Sequence, residues 1–263
     1  MGACVALITA MRSEMAPIRT RLALVNSREA VAPYSSDSSS ISTGHVRSLT
    51  QVGSPAPVGS PAIYQGRFND TNILGKICGV GAVRARAAML DLFQNYEIDH
   101  VLIVGIAGAI SNTLNVGDVV VPDAVVDHDT ENKLRPTPIP GLTSTGALIT
   151  FGRPPSDLGD ISTLRERGVV AVDMETYAVA EVCTEYGCAW SSIRSISDLV
   201  YKSTVDSEIL ALAGPYGRPR TVAVLKYLLR RPHRTANLAR LGRDASIAAK
   251  RAANAAVLAL ETL

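Results

Sequence analysis

The chain has 263 residues, 47% apolar and 19% charged, a composition that supports a full core and excludes disorder along its whole length. With three Phe and one Trp, that core must be built from aliphatic residues and alanine. The net charge is only +2, and no run approaches the ~20 apolar residues of a membrane span.

The N-terminal stretch MGACVALITA has no basic leader region and is followed at once by Arg12 and Glu14, so no secretory signal is expected. Cys4, Cys78, Cys183 and Cys188 show no CxxC spacing; buried thiols in a reducing, cytoplasmic compartment are expected. In chain order, strands are predicted at Ala3–Thr9, Ile73–Val80, Val101–Ile106, Asp118–Val126, Val169–Val172 and Ala189–Ile196. Helical patterns are predicted at Ser13–Leu24, Ala82–Tyr96 and Glu175–Tyr186, with a long helical pair at the C-terminus. Strand followed by helix, repeated, predicts an α/β fold: a single domain over 1–263 with a mixed, mostly parallel central sheet flanked by helices.

Two stretches break the pattern. Residues 27–60 hold ten serines with scattered Pro and Gly and read as a flexible insertion. Residues 130–145 carry Pro136, Pro138 and Pro140 and read as loop. From Thr235, apolar residues recur at Leu238, Leu241, Ala245, Ala248, Ala252, Ala256 and Leu260. These three- and four-residue steps predict an amphipathic helix over 234–263 that docks on the domain. Between Arg218 and Arg251 there are ten Lys/Arg and one acid, Asp244. Tyr227 is the one aromatic among these charges, too few for a base-stacking platform, so nucleic acid is not an expected partner.

Three acids are placed alike. Glu14, Glu175 and Asp198 each follow a predicted strand, and Gly105 and Gly108 stand at the end of another. Strand C-termini of a parallel sheet open onto one rim, where ligands bind. The placement therefore predicts three carboxylates in one crevice. Taken singly, each acid could instead serve a helix N-terminus or a turn.

The segments AMRSE (10–14), GIAG (105–108), NVGDVV (115–120), VDMETYAVA (172–180) and RSISD (194–198) resemble, in order and spacing, the nucleoside phosphorylase/nucleosidase superfamily. Within it they are most similar to 5′-methylthioadenosine/S-adenosylhomocysteine nucleosidases. The stretch 214–244 resembles, more loosely, the hopanoid-associated phosphorylases or nucleosidases. The resemblance implies cleavage of the N-glycosidic bond of an adenosine-type, 5′-modified nucleoside, with no metal or organic cofactor, by a homodimer. It implies that Asp198 protonates the departing base, Glu14 activates water, Glu175 holds the ribose hydroxyls and Met174 packs on the sugar. It also lays Ile106, Gly108, Asp173, Ser197, His128 and Phe151 along the ligand.

Several of these residues depart from the family pattern. Ile106 replaces a small polar residue, Asp173 replaces a Glu, and Phe151 is the one aromatic available to stack on a purine in 145–152. The stretch 102–108 lacks the Arg with which phosphorylases of the superfamily grip phosphate. Arg84 and Arg86 are the remaining candidates for that role. Hydrolysis leads; a phosphate-dependent phosphorylase and a non-catalytic nucleoside binder are the alternatives.

Overall fold

The structure, a computed structural model, describes residues 2–27, 63–152, 161–200 and 235–263. The expected 27–60 insertion (save Ser27), the first member of the expected C-terminal helical pair and most of the basic stretch from Arg218 lie outside the described residues.

The strands are β1 (Cys4–Thr9), β2 (Val25–Asn26), β3 (Ile63–Phe68), β4 (Thr71–Ile77), β5 (His100–Ala109), β6 (Val119–Val120), β7 (Pro122–Asp127), β8 (Lys133–Leu134), β9 (Gly146–Thr150), β10 (Val169–Asp173) and β11 (Ala189–Leu199). The helices are α1 (Arg12–Arg21), α2 (Ala82–Asn95), α3 (Ile161–Glu166), α4 (Thr176–Glu185) and α5 (Thr235–Leu260). All eleven strands of the described residues join one mixed sheet. Its centre is parallel, with β4, β1, β5 and β11 side by side and β7, β9 and β10 forming a second parallel group. The antiparallel pairings lie at the margins and where β10 meets the end of β5.

Local chemistry accounts for the boundaries. Every residue of β1 is buried, as expected of a central parallel strand covered on both faces. The strand predicted to reach Val80 ends at Ile77, because Gly79 and Gly81 take φ of 89° and 96° and turn the chain into α2. The single strand predicted at Asp118–Val126 is two, β6 and β7, interrupted at Val121 just before Pro122, which lacks an N–H and is tolerated as the first residue of a strand. Helix α1 stops at Arg21 rather than Leu24, and Ala23 sits at φ 49°. Strands β2, β3, β8 and β9 and helix α3 were not expected from the sequence; β8 falls inside the stretch 130–145 read as loop.

Two helical layers cover the sheet. Helices α2 and α4 pack over one apolar cluster with Met89, Leu92, Val179 and Val182. Helices α1 and α5 cover the other with Met15, Ile18, Ala252, Ala253 and Ala256. Helix α5 is alanine on its buried face, and Arg21 Nε donates to Asn254 Oδ1 at 2.6 Å to join it to α1. A third, smaller cluster of Ile110, Ile149, Phe151 and Val172 fills the space near β9 and β10.

Candidate active site

The sheet register brings four stretches to one rim. In the β5–β11 ladder Arg194 lies opposite Gly105 and Asp198 opposite Gly108, with a bulge between Ile196 and Asp198. The two glycines of the GIAG segment thus lie opposite Arg194 and Asp198 of β11. A Cβ on Gly105 would stand 2.0 Å from Arg194 Nη1 and 2.7 Å from Glu14 Oε1. One on Gly108 would stand 3.4 Å from Asp198 Oδ2 and 2.6 Å from a Val200 methyl carbon. The space at both positions is taken by side chains, so only glycine fits.

Glu14, in the first turn of α1, is buried. Its Oε2 accepts from Met11 N–H at 2.7 Å and its Oε1 from Ile106 N–H at 2.9 Å. Burial pushes its carboxyl up, while the charge of Arg194 and the backbone N–H groups of Ile106, Met11 and Ala10 pull it back part of the way.

Arg194 is the central cation, with its side chain 1% exposed. Its Nη2 meets Asp173 Oδ2 at 2.7 Å and donates to Thr176 Oγ1 at 2.6 Å. Its Nη1 is buried without a hydrogen-bond partner, and it is this nitrogen that flanks Gly105 beside Glu14. Asp173 accepts from Thr150 Oγ1 at 2.7 Å and from Thr176 N–H and Oγ1. Its short side chain is thereby committed to holding Arg194 rather than exposed to a ligand.

Glu175 is buried and accepts from Gly81 N–H at 2.7 Å. Burial first, then the neighbouring Asp173 charge, push its carboxyl up to about 8. Met174 beside it is half-buried. Asp198 is half-buried and accepts from Ser197 Oγ at 2.7 Å. Burial raises its carboxyl and the Ser197 hydroxyl opposes the shift. Ile106 contributes its backbone N–H to Glu14, and its side chain is half-buried.

Phe151 and His128 are brought together, but differently from expectation. Their rings stack with centroids 3.9 Å apart, with Phe151 buried and His128 exposed. One face of Phe151 is therefore already covered. The backbone still joins this stretch to the site, since Phe151 N–H donates to Asp173 O at 2.9 Å.

The arginines considered for phosphate are otherwise engaged. Arg86 holds Glu181 at 2.8 Å and Glu185 at 2.9 Å on α4. Arg84 turns back onto Val80 O at 3.0 Å. Among the described residues, a cavity of about 360 Å³ lined by Val121, Arg135, Ile139, Ser191 and Ser192 lies toward the start of β11, away from the acids.

Two residues of the site escaped the sequence reading. Arg194 stands in the sequence only as the first residue of the RSISD segment, and its place opposite Gly105 is visible only in the sheet register. Cys78, at the end of β4, is buried, and the charges of Glu175 and Glu14 add to its burial to raise the thiol well above its ordinary range. Nothing in its spacing marked it.

The model of the phosphorylase superfamily matches residues 5–160 and 140–214. A 5′-methylthioadenosine/S-adenosylhomocysteine nucleosidase of Haemophilus ducreyi is 28% identical over 194 residues, covering 62% of this chain and 84% of the relative. One from a Marinomonas strain is 29% identical, covering 55% and 75%. Among solved structures, the futalosine hydrolase of Helicobacter pylori superposes with a TM-score of 0.66 at 16% identity, over 100% of this chain and 99% of that one. The Neisseria meningitidis 5′-methylthioadenosine/S-adenosylhomocysteine nucleosidase, in complex with methylthio-immucillin-A, gives 0.66 at 17%, over 99% of both chains. At such identities these superpositions speak for the fold, and with the family match they support one conclusion: the chain belongs to the phosphorylase superfamily.

Proposed function

We propose that the protein is a purine nucleosidase that hydrolyses the N-glycosidic bond of adenosine-type nucleosides carrying a modified 5′ position. The observation that carries this reading is the convergence of Glu14 Oε1, an acceptor, and the unpartnered Arg194 Nη1, a donor, beside the Cα of Gly105. That pairing suits a water molecule, which needs one group to orient it and one to take its proton.

The chemistry follows from what the bond requires. Its cleavage develops a ribosyl cation and a departing purine anion. Glu14 acts as general base on the attacking water, and Asp198 as general acid toward the base. An acid and a base on opposite sides of the scissile bond is the arrangement of inverting glycosidases. Burial keeps Asp198 protonated to a higher pH than an exposed carboxyl, the state in which it can donate. Glu175 accepts from the ribose hydroxyls, and Met174 packs on the sugar. Ile106, Gly108 and Ser197 line the ligand through backbone and short side chains. Asp173 serves as the anchor of Arg194. Phe151 and His128 border the base and the 5′ group.

Charge favours water over phosphate as the nucleophile. Asp173, Glu14 and Glu175 all bear on the guanidinium of Arg194, so among the described residues of the site no surplus positive charge awaits a phosphate dianion. Our reading places the enzyme in the cytoplasm as a homodimer. Four free cysteines support the compartment, and the exposed His128 near the 5′ side supports completion of the site by a second copy. Among the described residues no helix is long and apolar enough to cross a membrane.

The test is release of free purine from a panel of methylthioadenosine, S-adenosylhomocysteine, futalosine, adenosine and inosine. The 5′-modified adenosines are expected to be cleaved fastest, each at an equal rate with and without phosphate. Release that requires phosphate would overturn hydrolysis. No release from any member, with purine still bound, would favour a binding protein.

A further inference from the structure

The two helical layers carry opposite charge. On α2 and α4 the charged residues are Arg84 and Arg86 against Asp91, Glu181 and Glu185, and Arg86 is spent on the two glutamates. On α1 and the described side chains of α5 they are Arg12, Arg19, Arg21, Arg240, Arg243, Lys250 and Arg251, all exposed. The acids there are the buried Glu14 and Asp244, whose side chain is 12% exposed and already shared between Arg240 and Arg243 at 3.5 and 3.6 Å. Arg240 and Arg243 nevertheless keep 73% and 74% of their side-chain surface in solvent.

The cations of α5 are arranged with exposed aliphatic residues. Arg240, Arg243, Ile247, Lys250, Arg251, Asn254 and Leu258 follow one another at helical spacing on its outer face. Ile247 is 40% and Leu258 58% exposed. Asn254 ties this stripe to Arg21 of α1, so the two helices form one face. Its edge lies against the turn at Gly117: a Cβ there would touch Ile247 at 3.4 Å, and Gly117 N–H donates to Ile196 O of β11.

We propose that the outer face of α1 and α5 docks the protein peripherally on an anionic lipid surface. Charge complementarity supplies the attraction: basic residues near an anionic bilayer each add to binding, and an interfacial helix combines them with aliphatic side chains that enter the headgroup layer. Ile247 and Leu258 favour lipid over nucleic acid. The exposed stripe has no aromatic ring to stack on bases, and a polyanion in water gains nothing from exposed leucine or isoleucine. The proposal is independent of the reaction assigned above.

Co-sedimentation of the full chain with large unilamellar vesicles tests it. Binding is expected to vesicles containing phosphatidylglycerol and not to phosphatidylcholine alone, and to weaken as salt rises. The variant R240Q/R243Q/K250Q/R251Q is expected to bind about tenfold or more weakly while its far-UV circular dichroism stays that of the parent. The variant I247S/L258S is expected to weaken lipid binding while leaving any binding to a single-stranded polynucleotide unaltered. Absence of binding to anionic vesicles, equal binding to neutral ones, or full binding by the quadruple variant would overturn the proposal. Tighter capture by the polynucleotide than by anionic vesicles would assign the face to nucleic acid instead.

Discussion

Glu14→Gln lowers kcat for purine release by about 10²–10⁴-fold, the span of a lost general base, while purine affinity changes by less than about threefold. An amide matches the carboxylate in shape but cannot take the proton of water. It can also satisfy only one of the two N–H donors, Met11 and Ile106, that the carboxylate accepts. Whichever way the amide turns, one donor is left facing an NH2 group, at a cost of about 1–3 kcal/mol in stability. The variant therefore melts earlier than the parent but still folds. Single-turnover rates and calorimetric adenine binding separate the two effects. A rate loss below about tenfold, less than general base catalysis contributes, would remove Glu14 from the role of base. Rate and affinity falling together would show that the change has damaged the binding of ligand instead.

Asp198→Asn gives the second large effect, and it depends on the leaving group. For adenosine-type substrates the rate falls by about 10²–10⁴-fold, because a purine anion must leave without its proton. For a 4-nitrophenyl riboside, whose leaving group departs unprotonated, the loss is less than about tenfold by the same reasoning. The hydrogen bond from Ser197 Oγ is kept by the Asn carbonyl, so geometry is conserved. The pH profile supplies a further sign. Burial raises the Asp198 carboxyl, so the parent works while that group is protonated and loses rate as pH climbs through its pKa. The Asn variant loses this alkaline limb. Equal losses on both substrates would show that Asp198 positions the ligand rather than protonating it.

Much of the fold was legible where burial imposes a simple pattern. The unbroken apolar run of β1 and the 3.6-residue period of α2 needed no tertiary information. Glycines placed the turn at 79–81 once their positive φ was known, but the sequence alone extended β4 to Val80. Strand β3 begins right after a stretch without apolar period, and β9 is five residues long; short strands without alternation cannot be told from loop by periodicity. Glu14 and Glu175 each follow a strand as expected, whereas β11 runs past its predicted end at Ile196 to Leu199, so Asp198 lies within the strand.

Arg194 was not legible as a site residue. A single arginine inside a buried, serine-rich strand has no pattern, and its meaning depends on Gly105 across the ladder and on Asp173 two strands away. Asp173 shows the same limit from the other side. The resemblance lays it along the ligand, whereas the carboxylate faces Arg194, Thr150 and Thr176. Phe151 looked like a free platform because the sequence could not reveal that His128 covers it.

The central claim is that water, held between Glu14 and Arg194, is the nucleophile. It is tested most directly by running the reaction in ¹⁸O-labelled water with phosphate present and weighing the sugar product. Free ribose-type sugar carrying one labelled oxygen at the anomeric carbon is the predicted product, forming about 10²–10⁴-fold more slowly in Glu14→Gln under single-turnover conditions. Unlabelled sugar-1-phosphate as the product would contradict it.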